Sequence, residues 1–296
     1  MRARRQAGPS VAPAKLNLSL EILGRRPDGY HELESLVVFV DLGDEIFLEQ
    51  AQDLSLTLSG PFADSLGSGS DNLVLRAARR LAEAAAIEPR AQLRLVKNLP
   101  VGAGLGGGSS DAAETLKALN RFWHLHWPEE RLIELAGPLG ADLPVCLYAR
   151  PALMRGTGDR LQPAPPLPAF SVLLVKPRCC LETALVYEAR RGPFSRASRW
   201  WQDPLKDAGE LAALLGKKSN DLEAAARRLC PDITQVLSAL EQTPHCLLAR
   251  MSGSGASCFG LYRTITQAQS AAAALAADRQ DWWIVPARVQ GTLPDP

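Results

Sequence analysis

The chain of 296 residues is 46% hydrophobic, which is enough to bury a sizeable core in one large domain or in two smaller ones. Its net charge of +1, with 22% charged residues, disfavours a protein that coats nucleic acid or binds acidic lipid. The chain has no apolar run of membrane-spanning length, and its first ten residues lack the apolar segment of a signal peptide. We therefore expect a cytoplasmic protein without nucleic-acid or membrane partners.

The first predicted element is a strand over residues 15–22. Leucine or isoleucine occupies every second position, and Lys15 and Asn17 lie on the alternate, polar face. Two interpretations of that face are open at this point. It is either a solvated outer surface or a rigid support on which Lys15 meets a phosphate or a carboxylate.

Strands and helices alternate along the rest of the chain. Turn residues and hydrophobic periodicity predict strands at 33–40, 45–49, 54–58, 91–96, 170–175, 247–251, 257–262 and 282–289. They predict helices at 72–86, 112–123, 128–136, 183–190, 210–216, 219–229, 232–242 and 266–277. This interleaving is typical of an α/β or α+β architecture with antiparallel or mixed sheets.

The six cysteines show no C-x-x-C spacing and mostly have apolar neighbours. In a cytosolic chain such cysteines are expected to be reduced core residues. Cys179 and Cys180 are adjacent, so a redox-active pair is the alternative to two small residues that fill space at a strand end.

Residues 100–111 contain five glycines in seven positions, between a predicted strand and a predicted helix. Glycines reach positive φ without strain, and the N–H groups of such a loop can surround an anion. We predict that Ser109, Ser110 and Asp111 cap the helix that follows, whose positive dipole end then points into the loop. The segment therefore predicts a phosphate or nucleotide site.

Other interpretations of this loop fit less well. A flexible linker would have polar low-complexity flanks, whereas this loop joins two patterned elements. A Rossmann fingerprint requires an acidic residue after a second strand about 20 residues on, and a new helix begins there instead. Gly108 stands where a Walker motif has its lysine. By itself the loop indicates phosphate binding and no particular enzyme.

Residues 13–31, 99–113 and 252–259 together resemble the GHMP kinases, and segments 140–145 and 218–222 support the resemblance. The first block is typical of those GHMP kinases that act on 4-diphosphocytidyl-2-C-methyl-D-erythritol, whereas the glycine loop marks the whole superfamily. The activity implied is ATP-dependent phosphorylation of the 2-hydroxyl of that molecule, in the non-mevalonate (MEP) pathway of isoprenoid precursor biosynthesis.

The resemblance also implies a fold. It is a two-domain α+β fold with a ribosomal S5 domain 2-like N-terminal domain and a ferredoxin-like C-terminal domain. We place the first domain, with the ATP-binding glycine loop, at residues 1–163 and the second at 164–296. ATP and substrate are expected in the cleft between them. The partner implied is a small molecule, the cytidine diphosphate methylerythritol, and the oligomeric state, including a homodimer, stays open.

Lys15 and Asp142 are the catalytic pair that the resemblance implies. Asp142 would accept the proton of the attacking hydroxyl, while Lys15 would keep that carboxylate ionised and stabilise charge on the transferred group. The sequence alone favours helix capping for Asp142, and the resemblance reverses that preference.

The ATP triphosphate is expected on the glycine loop, with Mg²⁺ bridging its β- and γ-oxygens. Ser110 is the loop hydroxyl expected nearest to the metal, and no protein metal ligand is assigned. The expected ATP-binding residues are Pro100, Val101, Gly102, Ala103, Gly104, Leu105, Gly106, Gly107, Gly108, Ser109 and Ser110.

The expected substrate residues follow from the same resemblance. Tyr30 and Tyr187 would stack on the cytosine and His31 would read its edge, while Asn17 and Thr183 would lie near the methylerythritol and its phosphates. Without the resemblance, Tyr187 would be interpreted as a helix core residue and Tyr30 as part of a turn.

This chain also departs from the family pattern. Glu182 stands where relatives commonly have a small residue, and the excursion at 192–209, with Trp200 and Trp201, matches no motif. Two other functions are alternatives. A GHMP kinase for another small alcohol, such as mevalonate or homoserine, is disfavoured by residues 27–31. A catalytically silent ATP-binding regulator is disfavoured because the catalytic pair is retained.

Overall fold

The computed structural model describes residues 9–69, 71–197 and 200–293. The described residues fall into two compact units whose segments alternate along the chain. Those within 1–15, 42–101 and 106–149 form the first unit, and those within 16–41, 102–105 and 150–296 form the second. The division into domains at residue 163 stays a prediction.

The strands and helices of the described residues are as follows. The strands are β1 (Ser10–Asn17), β2 (Glu21–Arg25), β3 (His31–Glu49), β4 (Ser55–Ser59), β5 (Gln92–Val96), β6 (Ala152–Gly156), β7 (Arg160–Pro163), β8 (Ser171–Lys176), β9 (Leu248–Met251), β10 (Cys258–Tyr262) and β11 (Trp283–Arg288). The helices are α1 (Leu73–Ala84), α2 (Gly107–Phe122), α3 (Glu129–Ala136), α4 (Leu143–Tyr148), α5 (Thr183–Ala189), α6 (Ala208–Leu215), α7 (Glu223–Leu229), α8 (Asp232–Glu241) and α9 (Ile265–Asp278).

The first unit contains a small sheet and a group of helices that pack against one another. Within it, β5 pairs in parallel with β4 and antiparallel with the C-terminal part of β3. Helix α1 begins as predicted, because the Asn72 side chain accepts the N–H of Val74. The buried stripe of α1 packs against α2, and α2 also packs against α4. This core holds the first turn of α2, which directly follows the glycine loop.

The second unit contains a four-stranded antiparallel sheet in the order β11-β8-β10-β9. All six residues of β8 are buried, and α8 and α9 pack against this sheet. In the same unit, the N-terminal part of β3 pairs with β2 and β6, and β6 pairs with β7. The mixed strands and helices confirm the predicted α+β class.

None of the helices in the described ranges combines the length and the apolar character needed to span a bilayer.

The strand predicted at 15–22 is two strands. β1 ends at Asn17 and β2 begins at Glu21. Its polar face is not solvated either, since Lys15 is 4% exposed and Asn17 is 1% exposed. Periodicity gave the alternation correctly, but it carries no information about what covers each face.

Helix α2 begins earlier than predicted. Its N-cap is Gly106, at φ 63°, without a side-chain cap, and Ser109 and Asp111 lie inside the helix. The N–H of Ser110 donates to the carbonyl oxygen of Gly106 at 2.8 Å. Because glycine enters a helix from positive φ without strain, the glycines at 106–108 take over the start of the helix from the better capping residues.

The expectation of reduced cysteines is wrong for one pair. Cys179 and Cys230 form a disulfide, with Cα atoms 6.6 Å apart. These residues are 51 apart in sequence, and pairing at that separation depends on the tertiary fold rather than on local spacing. Cys146 and Cys258 are buried free thiols, as expected, and Cys180 is an exposed free thiol.

Removal of this disulfide should destabilise the protein. Cys179→Ser removes a cross-link between residues 51 positions apart. Because the unfolded chain then has more conformational entropy, the free energy of unfolding should fall by about 2–4 kcal/mol. Urea unfolding under non-reducing conditions measures the change. Cys180→Ser is the matched control and should unfold like the wild type. Equal midpoints for Cys179→Ser and the wild type would contradict the prediction.

Candidate active site

Lys15 and Asp142 form an ion pair in the first unit. The Lys15 Nζ atom donates to Asp142 Oδ2 at 2.8 Å, and the two side chains are 5% and 36% exposed, respectively. Asp142 directly precedes α4, yet its side chain makes no capping hydrogen bond. The capping alternative is therefore not the arrangement that forms. A buried ammonium instead holds a partly exposed carboxylate, which is an arrangement suited to a general base.

The C-terminal end of the glycine loop lies directly against Lys15. A Cβ atom on Gly106 would stand 3.2 Å from Lys15 Cβ and 3.3 Å from Lys15 Cε. The hydroxyl of Ser110 donates to the carbonyl oxygen of Pro13 at 2.7 Å, which ties the first turn of α2 to β1. The first unit thus brings Lys15, Asp142 and the C-terminal end of the glycine loop together.

The middle of the glycine loop belongs to the second unit, where residues 252–255 support it. The Ser252 hydroxyl donates to the carbonyl oxygen of Gly104 at 3.0 Å, and the Ser257 N–H donates to that of Ala103 at 3.0 Å. Gly104 has φ +71°, and a Cβ atom there would stand 2.5 Å from the Ser252 carbonyl oxygen. Only glycine fits this close approach of two backbones.

Asn220 fixes the supporting segment itself. Its Nδ2 donates to the carbonyl oxygens of Met251 and Gly253, each at 2.8 Å. The family resemblance singled out segments 218–222 and 252–259 but gave no role to Asn220 or Ser252. Their roles follow from long-range backbone contacts, and a single sequence does not encode which backbone groups meet.

Two predicted substrate residues of the second unit contact the same segment. The backbone N–H of Asn17 donates to Ser252 Oγ at 3.1 Å, and its Nδ2 donates to Ser35 Oγ at 2.7 Å. The Oδ1 atom of Asn17 is buried and has no hydrogen-bond partner among the described residues. The hydroxyls of Thr183 and Ser254 are 2.8 Å apart. Asn17 therefore has an acceptor available for a ligand donor.

The predicted base-reading residues are also in the second unit. The rings of His31 and Tyr187 lie 5.1 Å apart between centroids, with a tilt of 37°. Burial, with the positive charges of Arg25 and Arg190, lowers the pKa of His31, so the imidazole is neutral at neutral pH. Tyr30 is 65% exposed. The neutral ring pair offers both a stacking surface and hydrogen-bonding nitrogens.

A buried charged cluster in the first unit was missed by the sequence analysis. Lys97 Nζ donates to the carboxylates of Asp44 and Asp111. A signal was present, because Lys97 continues the buried face of β5 that carries Leu93 and Leu95. A lysine at an apolar position of a strand predicts a buried partner of opposite charge. No comparable signal marks Asp44.

The comparisons with known proteins identify the family. The GHMP kinases N terminal domain matches residues 72–150, and the GHMP kinases C terminal domain matches 202–279. The 4-diphosphocytidyl-2-C-methyl-D-erythritol kinase of Rhodospirillum rubrum is 49% identical over 95% of this chain and 92% of that protein. The enzyme of the same name from Paramagnetospirillum magneticum is 49% identical over 94% of this chain and 97% of that protein. The chain belongs to this family of GHMP kinases.

Solved structures agree with that placement. A crystal structure of 4-(cytidine 5'-diphospho)-2C-methyl-D-erythritol kinase is 36% identical, has a TM-score of 0.76 and covers 95% of this chain and 98% of its own. A homoserine kinase from Cytophaga hutchinsonii has a TM-score of 0.71 at 19% identity, with 94% of each chain covered, and shows the shared fold alone. The expected family and fold class are confirmed.

Alanine substitutions at three glycines of the loop should have graded effects on stability. Gly108 lies in α2 with open space around its Cβ position, so Gly108→Ala should be neutral or stabilising. Gly102 also has open space but φ +63°, so Gly102→Ala should cost about 1–2 kcal/mol. Gly104→Ala should cost more, because its Cβ would overlap the Ser252 carbonyl oxygen.

Thermal unfolding of the three variants without ligand tests this order. Gly108→Ala is the matched control for the other two. An equal loss at all three positions would show that the loop conformation seen here does not govern their stability.

Proposed function

We propose that this chain transfers the γ-phosphoryl group of ATP to the 2-hydroxyl of 4-diphosphocytidyl-2-C-methyl-D-erythritol, in the MEP pathway of isoprenoid precursor biosynthesis. The products are the 2-phosphate and ADP. The observation that supports this most strongly is the Lys15–Asp142 ion pair packed against Gly106, in a chain 49% identical to enzymes of that name. ATP is the phosphate donor that membership of the GHMP kinases implies.

Asp142 is the proposed proton acceptor. Its side chain is 36% exposed, so a substrate hydroxyl can reach it, while the Lys15 side chain is 5% exposed and stays paired with it. The ammonium orients the carboxylate through a 2.8 Å hydrogen bond, so that the carboxylate can accept the hydroxyl proton. As the alcohol oxygen attacks, the same positive charge stabilises negative charge on the transferred group.

The glycine loop is the proposed triphosphate site. Gly102, Gly104 and Gly106 have positive φ, which turns successive backbone N–H groups in the manner of anion-binding loops. Helix α2 begins at Gly107, so the positive end of its dipole adds to the attraction. Backbone amides bind phosphate without a mobile side chain, which limits the entropy lost on binding.

Mg²⁺ is proposed as the second cofactor. No group of three or more metal-ligating side chains occurs in the part of the chain that the structure describes. Mg²⁺ in a kinase site is commonly held by phosphate oxygens and water, with one or two protein ligands. Ser110 is the candidate, since its hydroxyl hydrogen points to Pro13 and leaves an oxygen lone pair. The ion would neutralise charge on the β- and γ-phosphates.

The protein is proposed to recognise the cytosine and the methylerythritol of the substrate. Tyr187 and Tyr30 provide the aromatic surfaces, and the neutral His31 can both donate to the base edge and accept from it. The unpartnered Oδ1 of Asn17 can accept a hydrogen bond from a hydroxyl of the methylerythritol. Thr183 is proposed to bind near the substrate phosphates.

Asp142→Asn should abolish turnover while ATP still binds. The amide cannot accept the hydroxyl proton, so kcat should fall by about 10²–10⁴-fold. The ATP dissociation constant should stay within about twofold of the wild-type value, because the phosphate contacts are backbone amides. Coupled detection of ADP gives kcat, and calorimetry gives the ATP affinity. Asp232→Asn, an exposed carboxylate on α8, is the control. Near-normal turnover of Asp142→Asn would exclude the base assignment.

Tyr187→Ala should weaken binding of the cytidine substrate. Stacking on an aromatic ring contributes about 1–3 kcal/mol per base, so the KM for that substrate should rise about tenfold or more, with the KM for ATP unchanged. Tyr187→Phe keeps the ring and is the matched control. If both variants had the wild-type KM for the cytidine substrate, Tyr187 would not contact the base.

A panel of alcohols separates this function from its rivals. The wild-type protein should release ADP with the cytidine substrate and not with mevalonate or homoserine. ADP release with one of those alcohols at a comparable kcat/KM would contradict the substrate assignment. ATP binding without ADP release in any mixture would indicate a silent regulator.

A further inference from the structure

We propose that Lys97, Asp44 and Asp111 are positioning residues that hold the two ends of the glycine loop in the geometry that binds ATP. We name these three residues the ionic clamp. The inference rests on the proposed function, because it takes the loop to be the ATP site. It assigns a role to a buried cluster that the chemistry of phosphoryl transfer does not itself use.

The clamp fixes the chain where it enters the loop. Asp44, on β3, accepts the backbone N–H of Asn98 at 2.6 Å and that of Leu99 at 2.8 Å, both through Oδ1. The Asn98 side chain in turn donates to the carbonyl oxygen of Gly43 at 3.1 Å. The two residues that directly precede Pro100 are thus bound to one strand by three hydrogen bonds.

The same cluster fixes the chain where it leaves the loop. Lys97 Nζ donates to the other oxygen of Asp44 and, at 2.6 Å, to Oδ2 of Asp111 on α2. A Cβ atom on Gly107 would lie 3.6 Å from Lys97 Nζ and 3.7 Å from Asp44 Oδ2. The cluster is therefore in van der Waals range of the first residue of α2, and one ammonium connects both ends of the loop.

Stability is a weak reason for such a cluster. The side chains of Lys97, Asp44 and Asp111 are 3%, 0% and 2% exposed. Removing charges from water is costly, and well-packed apolar residues commonly replace a buried ion cluster without loss of stability. Unlike apolar residues, the buried ions provide hydrogen-bond donors and acceptors that fit together in only one arrangement.

The loop needs such a pattern more than most segments do. Five of the residues at 102–108 are glycine, which has the largest backbone entropy to lose on ordering. If this entropy were lost only when ATP binds, the affinity would fall accordingly. Fixing both ends beforehand reduces that cost, so the clamp should act on ATP affinity and leave binding of the cytidine substrate unchanged.

Asp111→Leu is the variant that tests the clamp. It releases the exit end of the loop but leaves Lys97 paired with Asp44, so no unpaired buried charge remains and the protein should fold. We expect the ATP dissociation constant to rise about tenfold or more, since small misplacements of binding groups have effects of that size. The KM for the cytidine substrate should not change. Asp111→Asn keeps an acceptor for Lys97 and should restore ATP binding to within about twofold of the wild-type protein.

Thr115→Val is the matched control. This buried residue of α2 donates its hydroxyl to the backbone carbonyl oxygen of Asp111 at 2.7 Å and not to the side chains of the ionic clamp. Its variant disturbs the same helix and should bind ATP like the wild-type protein. Calorimetry with ATP alone and thermal unfolding of each variant give the two readouts.

Two results would overturn the inference. One is unchanged ATP affinity in Asp111→Leu, whether or not its thermal stability falls. The other is an equal loss of affinity in Asp111→Asn and Asp111→Leu. Failure of the proposed function is distinguishable, because the wild-type protein itself would then bind no ATP. If the wild-type protein binds ATP and Asp111→Leu binds it equally well, only the clamp is wrong.

Discussion

A loop made largely of glycine has no conformation of its own, so other parts of the chain must fix it. Residues 97–99 and 111 are held in the first unit by Lys97 and Asp44, and Lys15 packs on Gly106. Residues 103 and 104 are held in the second unit by backbone and hydroxyl groups of Ser252 and Ser257. The positive φ angles of the loop glycines depend on these contacts.

The chemistry of the site depends on polar groups that the fold buries. Lys15 is buried beside a carboxylate that is only partly buried, so the pair presents one negative group and hides its positive partner. Asn17 is buried with one unpartnered acceptor, and a fold tolerates such an atom best where a ligand or water completes its hydrogen bonds. Burying these polar residues at the end of β1 carries some cost in stability, which the proposed function explains.

Much of the fold could be predicted from local sequence. Helix α1 was predicted because Asp71 or Asn72 can cap a helix before an apolar stripe, and the structure has Asn72 as the cap. The strands of the four-stranded sheet followed from apolar runs between turns. Local rules failed where several residues compete for one role. At the start of α2 two serines and an aspartate are better caps than glycine, yet backbone freedom at 106–108 decided where the helix begins.

The site was predictable only where a motif names its residues. The glycine loop was predicted from its glycines and its place between a strand and a helix. Lys15 and Asp142 came from the family resemblance, and the structure brings Lys15, Asp142 and Gly106 together. The Cys179–Cys230 disulfide, the hydrogen bonds of Asn220 and the contact of Lys97 with Asp44 each join residues more than 25 positions apart. Such pairs follow from tertiary packing, and a single sequence gives no rule for them.

The most direct test of the central claim is a crystal structure with a non-hydrolysable ATP analogue and 4-diphosphocytidyl-2-C-methyl-D-erythritol both bound. We expect the triphosphate on the backbone amides of residues 102–110. The substrate 2-hydroxyl should lie within hydrogen-bond distance of the Asp142 carboxylate and in line with the γ-phosphorus. A triphosphate bound away from those amides, or a 2-hydroxyl out of reach of Asp142, would contradict the claim.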